Sequence, residues 1–209
     1  MDINKLTSHR ENDFFKSVIA GMCIAFGYML YGGSGVVNTF AIGIMLVYLG
    51  GFPLLTTYLP NVIAEIRGGE RPFNTTTVVK CLVVFIGNLI GGMIMTHLCQ
   101  IMKYDLSYFA QLANIKANAY WFHMLLKGVC TGVLIGTAAR IARHDPKNRD
   151  LNVVFYYALV TVFVLVGGEH VVANAFLILL NPLGAINFIL PVLVGNFIGA
   201  WFVAKSERG

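Results

Sequence analysis

Six apolar stretches, at about 14–31, 39–64, 78–98, 119–139, 153–180 and 183–204, take up most of this 209-residue chain. Each is long enough to cross a hydrocarbon core of roughly 30 Å. Charged residues make up only 12% of the chain and hydrophobic residues 57%, which is the composition of a chain dissolved in lipid and not in water. The expected fold class is an all-α membrane protein with six transmembrane helices in a single domain, 1–209. The first stretch follows a polar, mixed-charge head without a small-residue cleavage pattern after it, and reads as a retained helix.

A net charge of +5 raises the question of nucleic acid, but the basic residues form no aromatic-interleaved patch and sit in the short joints between spans. Topology explains them better. With the N-terminus inside, Lys5, Arg10, Lys16, Arg67, Arg71, Lys80, Arg140, Arg143, Lys147, Arg149, Lys205 and Arg208 are cytoplasmic, and the outer joints carry only Lys103 and Lys116. The chain is expected in the cell's inner membrane with both termini cytoplasmic. Cys23, Cys81, Cys99 and Cys130 lie in apolar segments with no CxxC pair, so they read as packing residues and not as a disulfide framework or a metal site.

A repeat divides the chain. Val83 to Gly92 (VVFIGNLIGG) in the third span returns as Val192 to Ala200 (VLVGNFIGA) in the sixth, and Lys16-Ser17 to Ala20-Gly21 pairs loosely with Lys127-Gly128 to Thr131-Gly132. The repeats cover about 14–99 and 119–204, with three spans each, and an odd number of spans places the halves in opposite orientations across the bilayer. Gly87, Gly91, Gly195 and Gly199 are expected at close helix contacts, with Asn88 and Asn196 each adding an interhelical hydrogen bond.

Spans two and five are interrupted. Gly50, Gly51, Pro53, Pro60 and Asn61 break the second, and Gly167-Gly168-Glu169-His170, followed by Asn174, breaks the fifth. Lipid cannot satisfy the backbone groups a break exposes, so matched breaks in two inverted halves point to a solute site. Glu169 is the one acidic residue inside a predicted span, and His170 is the one histidine far from a span end. An ionisable group at that depth costs on the order of 3 kcal/mol or more, which favours a functional role for His170, while Glu169 reads first as the cap of a half-helix. Asn174, four residues on, shares a helical face with His170 and can fix the ring's tautomer; Thr56 and Thr57 flank the other break with hydroxyl donors. His97 and His123, near the outer ends of spans three and four, offer an alternative as haem ligands of a membrane redox subunit. His9 and His144 read as solvated. No phosphate loop, nucleophile elbow or metalloprotease pair occurs, so no enzyme is expected.

With these residues in view, the chain resembles the formate/nitrite transporter family of pentameric anion channels, whose members carry formate, nitrite or hydrosulfide. Gly168 to Phe176 (GEHVVANAF) is similar to that family's fifth-helix signature, Leu54-Leu55-Thr56-Thr57 to its second-helix loop, and Ala113-Asn114-Ile115-Lys116 followed by Lys127-Gly128 to the start of its fourth helix. The resemblance implies an aquaporin-like protomer with its own pore, assembled as a homopentamer; the residues themselves give no expectation of a cofactor or a metal. It implies a selectivity set of Thr56, Lys116, His170 and Asn174, with Lys116 in the outer vestibule and Lys127 at a supporting basic position. Leu54, Leu55 and Phe163 are implied as constrictions, with Phe40 and Ile44 beside them. Pro53 stands where an acidic residue is common, Leu55 where phenylalanine is usual, and Thr131-Gly132 where a small residue and asparagine are usual, so the inner constriction is expected to differ. The joint at Asn181-Pro182-Leu183 is also shorter than the family's outer loop.

The expected mechanism draws a small anion to Lys116 and the half-helix N-termini and passes it through the apolar narrowing as its neutral acid, its proton coming either from the central His170 or from water polarised by Lys116. A neutral-solute pore of the same fold is the second alternative.

Overall fold

A computed structural model describes the backbone of residues 3–206 and the side chains of residues 13–206. The side chains of Lys5, His9 and Arg10, and all of Arg208, lie outside the described residues. The elements are α1 (Ile3–Ser34), α2 (Asn38–Gly50), α3 (Leu55–Arg67), α4 (Thr75–Ile101), α5 (Ser107–Ala117), α6 (Trp121–His144), α7 (Arg149–Leu165), α8 (Val171–Asn174), a 3-10 turn (Ala175–Leu180) and α9 (Ile186–Lys205). Helix α1 begins well before the apolar stretch does, because its polar head is helical too.

Four described helices are long and apolar enough to cross a membrane: α1 from Asp13, α4, α6 and α9. Helices α2 and α3 are long and apolar enough only as a pair, bent by 52° at the glycine break between Gly50 and Leu55, while Pro60 and Asn61, expected to break the same span, lie inside α3. The stretch expected as one interrupted fifth span is the 17-residue α7, an irregular loop, and then α8 with the 3-10 turn. The chain is thus an all-helical, multi-pass membrane protein. Leu82, Ile86, Leu126, Phe197 and Phe202 stand about half exposed on its outside, as suits a surface whose solvent is hydrocarbon.

Two tight helix pairs frame the molecule, α1 with α4 and α6 with α9. Small residues allow the approach: a Cβ added to Gly91 would collide with the Val18 carbonyl, and one added to Gly199 with the Val129 carbonyl. One end of the bundle gathers the basic residues. There Arg67 at the end of α3 donates to the Ala204 carbonyl of α9 at 2.8 Å, Arg143 of α6 pairs with Glu70 at 3.1 Å, and Lys80 of α4 pairs with Asp13 of α1 at 2.9 Å.

Helix α5 was not legible as a helix of its own. Phe109, Ala113 and Lys116 are its buried positions, spaced so that one face turns inward. Ala113 to Lys116 therefore do not begin the fourth span: α5 ends at Ala117, and α6 starts separately at Trp121. The cysteines are free, and while Cys99 is buried, Cys130 is exposed on α6 and packs no core.

Candidate functional site

The two breaks are built alike. Helix α2 ends in Gly51 at φ +64° and α7 runs into Gly167 at φ +69°, a left-handed conformation that glycine adopts without strain. Three residues beyond each glycine the chain is extended, at Leu54 (φ −112°, ψ 127°) and at His170 (φ −117°, ψ 119°), and the next residue begins a new helix. The first break thus presents an apolar side chain where the second presents an imidazole.

A buried asparagine holds each break. Asn88 accepts from the Leu55 amide at 2.8 Å and donates to the carbonyls of Ser17 and Pro53 at 2.8 and 3.1 Å. Asn196 accepts from the Val171 amide at 3.0 Å and donates to the carbonyls of Gly128 and Glu169 at 2.8 and 3.0 Å. Each side chain therefore ties the start of a half-helix, the loop before it and a neighbouring span to one point. The repeated Gly-Asn motif signalled these residues, but as simple interhelical bonds. Asn196→Leu should cost roughly 3 kcal/mol or more, because a buried amide and two carbonyls lose their partner together. Thermal unfolding in detergent checks this, with Asn148→Leu, at an exposed site whose side chain caps nothing, staying within about 0.5 kcal/mol of the parent.

At the junction of the breaks, Thr56 Oγ1 lies 2.7 Å from His170 Nε2, and both residues are buried. His170 Nδ1 accepts from the Ala173 amide at 3.2 Å, so the imidazole itself is the N-cap of α8. A neutral ring that accepts at Nδ1 carries its hydrogen on Nε2 and donates to the Thr56 hydroxyl. Two expectations are corrected here. Glu169 is not the cap, because its carboxylate turns to Lys116, and Asn174 does not fix the ring's tautomer, because the Ala173 amide does.

Lys116 is buried and not solvated in an outer joint as its sequence neighbourhood suggested. Its ammonium donates to Glu169 Oε2 at 2.6 Å, Asn174 Oδ1 at 2.8 Å and the Tyr28 hydroxyl at 3.4 Å, and Asn174 Nδ2 donates to the same carboxylate oxygen at 3.1 Å. Three ammonium hydrogens meet three acceptors, and the buried charge is matched by one carboxylate. Tyr28, which sequence reasoning passed over, is held by edge-to-face contacts with Phe40, Phe109 and Phe176 at 5.8, 5.4 and 6.1 Å. Lys127 is exposed, and it is its backbone carbonyl that reaches the break, accepting from the Glu169 amide at 3.2 Å.

Two cavities with no lining residue in common approach the junction. One, of about 660 Å³, opens at the basic end and is lined by Asp13, Lys16, Leu54, Tyr58, Arg143 and Tyr156 among others. The other, of about 200 Å³, includes Tyr28, Phe40, Lys116, Lys127, Phe163 and His170 in its wall. Leu54, Leu55, Ile44, Phe40 and Phe163 are all buried, and the Phe163 ring lies 5.5 Å from Phe40 and 6.1 Å from His170. His97 and His123 are both exposed, and His123 packs on Tyr120. Among the described residues no three His, Cys, Asp or Glu side chains converge as metal ligands.

Known proteins share this fold. A profile of the family described as Formate/nitrite transporter matches residues 2–206. The formate channel FocA of Haemophilus influenzae is 23% identical over 194 residues, 83% of this chain, and the match spans 66% of that relative's length. A solved structure described as an FNT family ion channel superposes with a TM-score of 0.86 at 20% identity, covering 95% of this chain and 90% of the other. A pentameric formate channel with formate bound gives 0.77 at 18% identity, covering 92% and 93%. These relatives are channels and not enzymes. On the family profile, which takes in nearly every residue, this chain belongs to the formate/nitrite transporter family.

Proposed function

We propose that the chain is a channel for a small monovalent weak-acid anion of the formate, nitrite or hydrosulfide class, which crosses the membrane with a proton. The observation that carries this reading is the Thr56–His170 bond, at which two helix breaks meet between a cavity from each end of the bundle. The matched glycines, extended residues and asparagine bonds support an inverted 3+3 repeat, 14–99 against 119–204, in one aquaporin-like domain of six crossings. The gathered basic residues support an inner-membrane protein whose larger cavity and both termini face the cytoplasm. The relatives support a homopentamer.

Thr56, Lys116, His170 and Asn174 form the selectivity set, supported by Glu169 and Lys127, and Leu54, Leu55, Phe163, Phe40 and Ile44 form the apolar constriction. An anion stripped of water in such surroundings faces idealised costs in the tens of kcal/mol, and the neutral acid avoids most of them. His170 acts as a neutral ring. Protonating it would place a hydrogen on Nδ1, where the Ala173 amide already donates, so the ring offers Nε2–H to the solute and the proton joins the anion from water in the outer cavity.

Flux into liposomes tests the reading. Formate, nitrite and hydrosulfide should enter and chloride, whose acid does not form near neutral pH, should not; osmotic swelling without weak-acid entry would instead mark a neutral-solute pore. Removing two constriction side chains, Leu54→Ala with Phe163→Ala, should let water through and bring chloride flux to within about ten-fold of formate flux.

A further inference from the structure

The Lys116 ammonium has no hydrogen left for an incoming anion, since Glu169, Asn174 and Tyr28 take all three. An anion that binds this lysine must displace one acceptor. Glu169 at 2.6 Å is charged, and Asn174 at 2.8 Å is held in turn by its own bond to Glu169. The Tyr28 hydroxyl, neutral and at 3.4 Å, is the weakest of the three. Its ring is fixed by Phe40, Phe109 and Phe176, so the hydroxyl stays at the wall of the 200 Å³ cavity after it is displaced. Among the described residues nothing accepts the phenol's own hydrogen, which leaves it available to a solute in that cavity.

We propose that Tyr28 is a further specificity-determining residue: its hydroxyl is the exchangeable acceptor of Lys116 in the empty channel and becomes a hydrogen-bond donor to the anion that replaces it. The inference rests on the channel reading above. It also narrows the substrate class. A lysine N–H and a tyrosine O–H converging on one solute suit an anion with two oxygens, a carboxylate or nitrite, better than hydrosulfide, whose single sulfur is a weak acceptor.

The test measures formate and hydrosulfide uptake into proteoliposomes by the parent and by Tyr28→Phe, which keeps the ring and its packing. Parent channels that pass neither solute would overturn the channel reading itself. With parent flux established, Tyr28→Phe should raise the half-saturating formate concentration about ten-fold, the worth of one hydrogen bond to a charged group, with the maximal rate unchanged. The half-saturating hydrosulfide concentration should move less than about two-fold. An unchanged formate value, or equal shifts for both solutes, would overturn the role of Tyr28. Replacing Tyr28 by 3-fluorotyrosine, a stronger donor of the same shape, should lower the formate value below that of the parent. A rise or no change would contradict the donor role even if Tyr28→Phe does not assemble.

Discussion

His170→Asn is expected to turn a proton-coupled pathway into an anion leak. Asparagine is among the best N-capping residues, so the cap that the imidazole makes to the Ala173 amide survives and α8 keeps its start. What disappears is ring volume beside Phe163 and the Nε2–H that faces Thr56. Water then accompanies the anion through the junction. Retaining one hydrogen bond to a charged solute is worth about 1.5 kcal/mol, and that lowers the barrier enough for an about ten-fold faster formate current. Electrical recording across planar bilayers checks it. The same variant should show little acidification for the formate it passes. A His170→Ala channel should leak as well but unfold earlier, by roughly 1 kcal/mol, since alanine cannot cap.

The second large effect is on stability. Lys116→Met should cost about 3–5 kcal/mol, because it strands the Glu169 carboxylate at a buried site with only the Asn174 amide as partner. Glu169→Gln should be comparably damaging, since it leaves the ammonium without its counter-charge. The double variant Lys116→Met with Glu169→Gln should recover most of the loss, with a coupling of a few kcal/mol between two residues in direct contact. Thermal unfolding of the four proteins in one detergent gives this cycle. Additive losses would mean that the two side chains do not form the pair.

Much of this was legible in the sequence because it repeats. The apolar lengths, the paired Gly-Asn motifs, and the glycines ahead of Leu54 and His170 are local signals, and both breaks fall where those signals put them. The environment of Lys116 was not legible. Its partner Glu169 is 53 residues away, and α5 reads as a polar joint because its fully buried positions are only Phe109, Ala113 and the lysine itself. Charge counting put Lys116 in solvent for the same reason. The capping pattern misled in another way: an acidic residue beside a half-helix start is a good cap in general, but here the next residue's imidazole sits at the cap position and the carboxylate is taken by a tertiary partner. Asn88 and Asn196 were visible as polar residues in apolar spans. That each reaches three backbone groups around a break follows only from the fold, which returns the loop to the asparagine's own depth.

The central claim, that a weak-acid anion passes the Thr56–His170 junction as its neutral acid, is tested most directly by counting protons and formate together. Labelled formate uptake and internal pH would be followed in the same proteoliposomes, with the membrane potential clamped. About one proton should enter with each formate, at a rate indifferent to the potential. Formate entry that carries charge, follows the potential and leaves the internal pH unchanged would contradict it.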